Sequence, residues 1–232
     1  MANVVPMPDP AMAEVNGTRD RFPIRRVYCV GRNYAAHARE MGFDPDRDPP
    51  FFFCKPADAV VSVPEGSTAS IPYPPRTSNY HHEVELVVAI GREGANIPVD
   101  SAAGHVWGYA VGLDMTRRDL QLAMRDKGRP WELGKAFDAS APMGSLVAAS
   151  EVPGIDTAGI WLEVDGERRQ ASSIAHLIWS IPETIAYLSE YFQLMPGDLI
   201  FTGTPEGVGP VEPGAMLHAH VDGLPELKIR IV

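Results

Sequence analysis

The sequence predicts an α+β fold built on a mixed, largely antiparallel sheet. Three observations predict it. Short apolar or alternating runs, the pattern of strands, outnumber helical segments along the chain. The 22 Pro and 21 Gly fall at intervals rather than in tracts, as turns between short strands require. Three or so segments carry helix start and stop signals. At 232 residues the chain suits one well-cored domain. The expectation is an arm over residues 1–24 and a single unit over 25–232, with no repeat and no linker.

Residues 1 to about 21 are aperiodic and contain Pro, and read as an arm or edge segment. RRVYCV, Arg25 to Val30, reads as a strand. GRNYAAHAREMG is Ala-rich and ends in Gly42, which predicts a short helix with a Gly stop. DPDRDPP is a loop, and PFFFCKP a short apolar strand broken by Pro56. Short β-like pieces follow to Pro75. HHEVELVVAIG and WGYAVGLDM read as buried strands. TRRDLQLAMRDKG predicts a helix with Thr116 as N-cap and Gly128 as stop. IWLEVDGERRQ alternates around a DG hairpin turn. SIPETIAYLSEYF predicts a helix opened by a Ser180/Glu183 capping box with Pro182 in its first turn. Strands between PGD, PEG, EPG and DG turns complete the chain.

Composition removes several classes of function. The formal charge of -10 and pI of about 5.1 argue against nucleic acid and anionic membranes as partners, though not against an anionic small substrate. The first residues have no basic start and no long apolar stretch, and no later segment approaches the ~20 apolar residues of a membrane span. A cytoplasmic protein is expected. Cys29 and Cys54 lie in apolar runs and read as reduced core residues.

Chemistry concentrates in HHEVELVVAIG. On a strand, residues i and i+2 share a face about 6 to 7 Å apart, so Glu83 and Glu85 point the same way. Val84, Leu86, Val88 and Ile90 point into a core on the other face. Val87 and Ala89 continue the carboxylate face, which is therefore not simply solvent. Two adjacent buried carboxylates are costly unless a cation neutralises them. Asp114 supplies a third oxygen. It ends the apolar run WGYAVGLD at a strand-to-helix junction, where it is either a ligand or a plain helix cap. With a helix from about Asp114, Arg118 and Gln121 at i+4 and i+7 would share its face. Three carboxylates favour Mg²⁺, Mn²⁺ or Ca²⁺ over zinc. His81 and His82 adjoin the pair but are read as structural rather than as ligands.

His37 and Glu40, at i and i+3, are helix-surface neighbours, and a carboxylate beside an imidazole makes a general base for water. Such pairs are common, and this one gains weight only from a metal site elsewhere. Lys135 and Lys55 lie among apolar residues and are either snorkelling lysines or cations for an anionic oxygen. GDLIFTGTPEGVG has the glycines of a phosphate loop without the following Lys-Ser or Lys-Thr, so nucleotide binding is rejected.

VGRNYAAHAREM, FFFCKPADAVV, HHEVELVVAIG, GYAVGLDMTRRDLQ, GRPWELGKAFDASAP, LIWSIPETIAYLS and PGDLIFTGTPEGVGPV occur in this order. Together they resemble the fumarylacetoacetate hydrolase family from about Arg25 to Val232. The resemblance implies a rolled mixed β-sandwich, a homodimer, and one divalent cation per subunit, Mg²⁺ or Mn²⁺ with Ca²⁺ as a further candidate. It implies Glu83, Glu85 and Asp114 as ligands and His37 with Glu40 as the water-activating dyad. Arg118, Gln121 and Lys135 would surround the substrate oxygens, and Thr204 would contact substrate. Arg32 and Lys55 join the substrate-binding candidates. The implied reaction is hydrolysis of a carbon-carbon bond in a 2,4-dioxo acid, with the wording most similar to the branch that cleaves fumarylpyruvate in gentisate breakdown. Hydrolysis of acylpyruvates and decarboxylation of oxaloacetate are the family alternatives, and a non-catalytic metal-binding protein the remote one. A distal substrate carboxylate would need a cation, and Arg32, Arg76 and Arg129 are equal candidates.

Overall fold

The computed structural model describes residues 3–6, 9–35 and 48–232. The expected helix with His37 and Glu40 lies outside the described residues. Among them the largest sheet has the strand order Phe51–Lys55, Arg26–Gly31, Asp198–Phe201, Val84–Ile90, Val106–Leu113, Ala141–Gly144, Val60–Val63, with Val147–Ala148 also paired to Val106–Leu113. A second sheet has the order Glu167–Ser173, Gly159–Val164, Met216–Val221, Leu227–Ile231, Thr68–Ile71. Each contains parallel pairs, but most pairs are antiparallel, so the sheets are mixed in the expected sense.

The main core lies between the two sheets. Leu86, Val88, Val111 and Leu113 from the first meet Ile160, Leu162, Leu217 and Ile229 from the second. A smaller core covers the outer face of the first sheet, with Val27, Cys29, Val87, Ala89, Leu199 and Phe201. Strand Val84–Ile90 is buried along its whole length because both its faces are covered, one by each core.

Several local expectations hold. Helix Ile181–Tyr191 starts with the Ser180/Glu183 capping box and Pro in its first turn. Strands Gly159–Val164 and Glu167–Ser173 join through Asp165 and Gly166, both with positive φ (52° and 80°), as a type I′ turn demands.

Other expectations fail for identifiable reasons. The N-terminal segment, read as an arm or an edge segment, contains a paired element. Met12–Glu14 and Arg21–Pro23 pair as a small hairpin, and Ala13 and Phe22 pack into the smaller core. Cys54 is exposed, because strand Phe51–Lys55 is the edge strand and alternation turns Lys55 inward instead. The helix expected over TRRDLQLAMRDKG is shorter than expected, Arg118–Arg125, and Thr116 does not cap it. Thr116 and Arg117 are held extended by pairing with His81 and Tyr80, so the helix cannot begin at Asp114. It ends before Gly128, which sits in the turn beyond with φ +61°.

Candidate metal centre and active site

The carboxylates converge because of strand register. The strand-like run splits at Glu83. Tyr80–His82 pairs with Thr116–Arg117 and Gly209–Pro210, whereas Val84–Ile90 pairs into the large sheet. Glu83 sits where the chain passes from one sheet to the other. Val84 is opposite Leu113 and Glu85 opposite Gly112, so Asp114 comes beside Glu83, and its N–H donates to the Glu83 carbonyl at 2.9 Å. Facing residues on paired strands project to one side, which puts Asp114 on the carboxylate face. Glu83, Glu85 and Asp114 are 5%, 1% and 1% exposed, and each offers an oxygen within 4.8 Å of the others.

Three buried cations surround them. Lys135 Nζ donates to Glu83 Oε2 (2.9 Å), Asp114 Oδ2 (2.6 Å) and Thr116 Oγ1 (2.7 Å). Arg118 Nη2 donates to Glu83 Oε1 at 3.0 Å, and its Nη1 donates to Gln121 Oε1 at 2.6 Å. Lys55 Nζ reaches Asp114 Oδ1 at 2.9 Å and donates to the carbonyls of Met115 (3.2 Å) and Lys135. Lys135 belongs to the short helix Glu132–Lys135, which lies so close to Gln121 that a Cβ on Gly134 would come within 2.8 Å of the Gln121 nitrogen. Glu85 takes a different partner, the Gly203 N–H at 2.8 Å, presented by a backbone at φ +100° that glycine adopts without strain.

The electrostatics follow from this packing. Burial, reinforced by Asp114 and Glu83, pushes the Glu85 carboxyl well above its usual range. Burial works against the Lys135 ammonium, but the charges of Asp114 and Glu83 outweigh it, and the net shift is upward. His81 is lowered to about 4 by burial and then by Arg118. Its bonds suit a neutral ring, since Arg118 Nε approaches Nδ1 at 3.4 Å and Nε2 meets Asn79 Oδ1 at 2.8 Å. His82 pairs with Gln170 at 3.0 Å. Among the described residues the triad is the one group of His, Cys, Asp or Glu placed to hold a metal.

Eight of the candidates, Glu83, Glu85, Asp114, Arg118, Gln121, Lys135, Arg32 and Thr204, line one cleft with Phe53 and Trp131 among its other walls. Lys55 is 2% exposed and is not on the cleft wall. The proposed helical face through Asp114 does not exist, yet Arg118 and Gln121 arrive together because they are i and i+3 on the helix that does form.

Sequence reasoning missed three supporting residues. Thr116, read as a cap, donates to Glu83 Oε1 (3.2 Å) and accepts from Lys135. Gln170 reaches across from the second sheet. Its Oε1 accepts from the Val84 N–H (3.1 Å), and its Nε2 donates to Thr204 Oγ1 and the Pro205 carbonyl (both 2.8 Å). Asn33 donates to the carbonyls of Trp179 (3.0 Å) and Thr202 (2.9 Å), tying the GRN segment to the TGTP segment. The available signal was a polar side chain at an inward position of an alternating strand, as at Gln170 in ERRQASS.

A donor set of three carboxylate oxygens, one of them held well above its usual range by burial and by its neighbours, fits a hard divalent cation. The family pattern described as Fumarylacetoacetate (FAA) hydrolase C-terminal matches residues 26–232, and the chain belongs to that family. It is 61% identical to the fumarylpyruvate hydrolase of Pseudomonas aeruginosa, whose crystal structure holds Mn²⁺ and pyruvate. That likeness covers 100% of this chain and 99% of the other, with a TM-score of 0.98. A fumarylpyruvate hydrolase of Ralstonia sp is 47% identical over 181 residues, 78% of this chain and 92% of its own. A mitochondrial oxaloacetate tautomerase of Oryza sativa subsp. japonica is 42% identical over 206 residues, 89% of this chain and 90% of its own.

Proposed function

We propose that the chain is a divalent-metal hydrolase that converts fumarylpyruvate and water to fumarate and pyruvate. The observation that carries this reading is the buried triad Glu83, Glu85 and Asp114 at the base of a cleft ringed by Arg118, Gln121 and Lys135. The 61% identical relative crystallised with Mn²⁺ and pyruvate supports it. A cation held there supplies a Lewis acid for the carboxylate and 2-oxo oxygens of a 2,4-dioxo acid.

The side chains divide the remaining work. Lys135 spends its three hydrogens on Glu83, Asp114 and Thr116. Once those carboxylates ligate a cation, its hydrogens can turn to an anionic oxygen in the cleft. Gln121 has its oxygen taken by Arg118 and so offers Nε2–H to the same oxygen. On the family resemblance we assign His37, with Glu40 as its carboxylate partner, to take a proton from water, and the water oxygen adds to C4 of the substrate. The C3–C4 bond breaks, its electrons pass to the enolate of pyruvate, and protonation at C3 completes the products. Lys55 we assign to holding Asp114 rather than substrate. Mg²⁺ as the working ion, a homodimer, a cytoplasmic setting and a place in gentisate breakdown belong to the same proposal. No helix among the described residues is long and apolar enough to cross a membrane.

The 42% identical tautomerase supports a second reading, chemistry on oxaloacetate, which offers the same 2-oxo acid end to the triad. The test strips the protein with chelator and restores Mg²⁺ or Mn²⁺. Loss of fumarylpyruvate absorbance is then compared with turnover of acetylpyruvate and oxaloacetate. Cation-dependent turnover fastest on fumarylpyruvate is expected. A preference for oxaloacetate moves the function to the second reading.

A further inference from the structure

Lys135 holds three oxygens, and they are not alike. Two belong to Glu83 and Asp114, carboxylates placed for a cation, and the third is the hydroxyl of Thr116 at 2.7 Å. An ammonium on a flexible four-carbon stem needs a fixed partner to keep one position. Of the three oxygens, the Thr116 hydroxyl is the one outside the metal-ligand set.

Thr116 is built to stay where it is. It is fully buried, and its backbone is extended and paired with His81. That pairing, which keeps the residue from capping the helix after it, fixes the side chain at its root, and β-branching leaves χ1 few choices. The hydroxyl has one hydrogen and two lone pairs. Its hydrogen has two acceptors in reach, Glu83 Oε1 at 3.2 Å and the Asp114 carbonyl at 3.0 Å. The second belongs to the main chain and is no carboxylate oxygen. If Glu83 turns to a cation, the hydrogen keeps the Asp114 carbonyl, and the oxygen still accepts from Lys135. The root of Lys135 is fixed as well. Its short helix lies so close to Gln121 that a Cβ on Gly134 would come within 2.8 Å of the Gln121 nitrogen. Lys135 lines the cleft, and Thr116 stands behind it, off the cleft wall.

We propose that Thr116 is a positioning residue that acts through Lys135. Its hydroxyl keeps the ammonium at the cleft wall in the cation-loaded protein, so that the hydrogens released by Glu83 and Asp114 face the substrate oxygen that becomes anionic. Thr116 itself touches neither substrate nor cation. This rests on the hydrolase reading above and deepens it.

The experiment is a double-mutant cycle between Lys135→Met and Thr116→Val, which removes the hydroxyl at nearly constant volume. Thr116→Ala and Thr116→Ser run beside it. Turnover of fumarylpyruvate is measured, together with the urea midpoint in the presence and absence of Mn²⁺. Thr116→Val and Thr116→Ala are expected to lower kcat by about 10- to 100-fold, with KM within about threefold, and Thr116→Ser to recover most of the loss. In the Lys135→Met background Thr116→Val should cost no further rate, because no ammonium is left to position. Losses that multiply across the two sites, or a full rate in Thr116→Val, overturn the proposal. If the parent turns over no 2,4-dioxo acid, the hydrolase reading fails, and the urea midpoints still decide Thr116. With Mn²⁺ bound, Thr116→Val should lower the midpoint by more in the parent than in Lys135→Met, since only the parent loses a bond to the ammonium. Equal shifts in the Mn²⁺-loaded proteins, or a parent that binds no Mn²⁺, refute the assignment.

Discussion

Two ammonium groups meet Asp114, Lys135 on Oδ2 at 2.6 Å and Lys55 on Oδ1 at 2.9 Å, and both lysines are 2% exposed. Their remaining partners differ. Lys135 bonds only side-chain oxygens and lies on the cleft wall. Lys55 bonds two backbone carbonyls, those of Met115 and Lys135, and lies behind the carboxylates. Two of the three oxygens that Lys135 holds belong to carboxylates placed to pass to a metal, whereas the two carbonyls that Lys55 holds do not. One buried lysine is therefore a fixed strut, and the other is a cation whose partners can be exchanged.

The comparison breaks most severely at the shared partner. Asp114→Asn should cost about 3–5 kcal/mol in urea unfolding, because two buried ammonium groups lose their common carboxylate. It should also abolish Mn²⁺ binding by calorimetry. Retention of both properties would mean that neither lysine depends on Asp114.

Separating the lysines gives the next effect. Lys135→Met should lower kcat by roughly 10²–10³-fold, the usual cost of losing an oxyanion donor. Lys55→Met should act mainly on stability, by about 3 kcal/mol, with kcat held within tenfold. The reverse pattern, a stability loss at Lys135 and a rate loss at Lys55, would exchange the two assignments.

A smaller effect concerns the proton on Glu85. Its carboxyl is raised in the folded, cation-free protein, so between the unfolded value of about 4.3 and the folded one the native state binds more protons than the unfolded state. The sign follows: the contribution of Glu85 to stability is greatest at low pH and falls as pH rises towards the folded value. Chelator-treated protein should lose up to about 1.4 kcal/mol per pH unit in that interval. Mn²⁺ should flatten the slope by displacing the proton. A cation-free profile that rises over the same interval would contradict it.

The smallest effects lie under the two ammonium groups, each beside a ring. Lys55 Nζ is 5.5 Å from the centre of Phe137 and Lys135 Nζ is 5.2 Å from that of Phe53. Phe137→Leu should cost about 1 kcal/mol of stability and little rate. Phe53→Leu should raise KM several-fold at similar stability. Equal changes in both variants would erase the distinction.

Much of the site was legible because the responsible patterns are local. Period two put Glu83 and Glu85 on one face, and Asp114 stood out as an acid ending an apolar run. Lys135 was visible as a lysine among small and apolar neighbours. What was not legible depends on distant segments. Thr116 was read as a cap because nothing nearby announced its pairing to His81. Gln170 acts from the opposite sheet, and its strand gives no hint of what it will meet. Cys54 was misplaced because edge position is a property of the sheet, not of FFFCK. The two-sheet architecture followed from resemblance to a family, since local patterns distinguish strands without ordering them.

Strand order also governs how the molecule can be made. Asp198–Phe201 lies between Arg26–Gly31 and Val84–Ile90, bonded to both. A chain leaving the ribosome from its N-terminus exposes those two apolar strands long before the one that joins them is synthesised. Until then both have open edges, and Glu85 lacks the Gly203 N–H that follows the same late strand. Nascent chains stalled before residue 198 should therefore be the aggregation-prone species and the natural clients of a chaperone. The Gly203 bond to Glu85 can form only after Asp198–Phe201 has emerged.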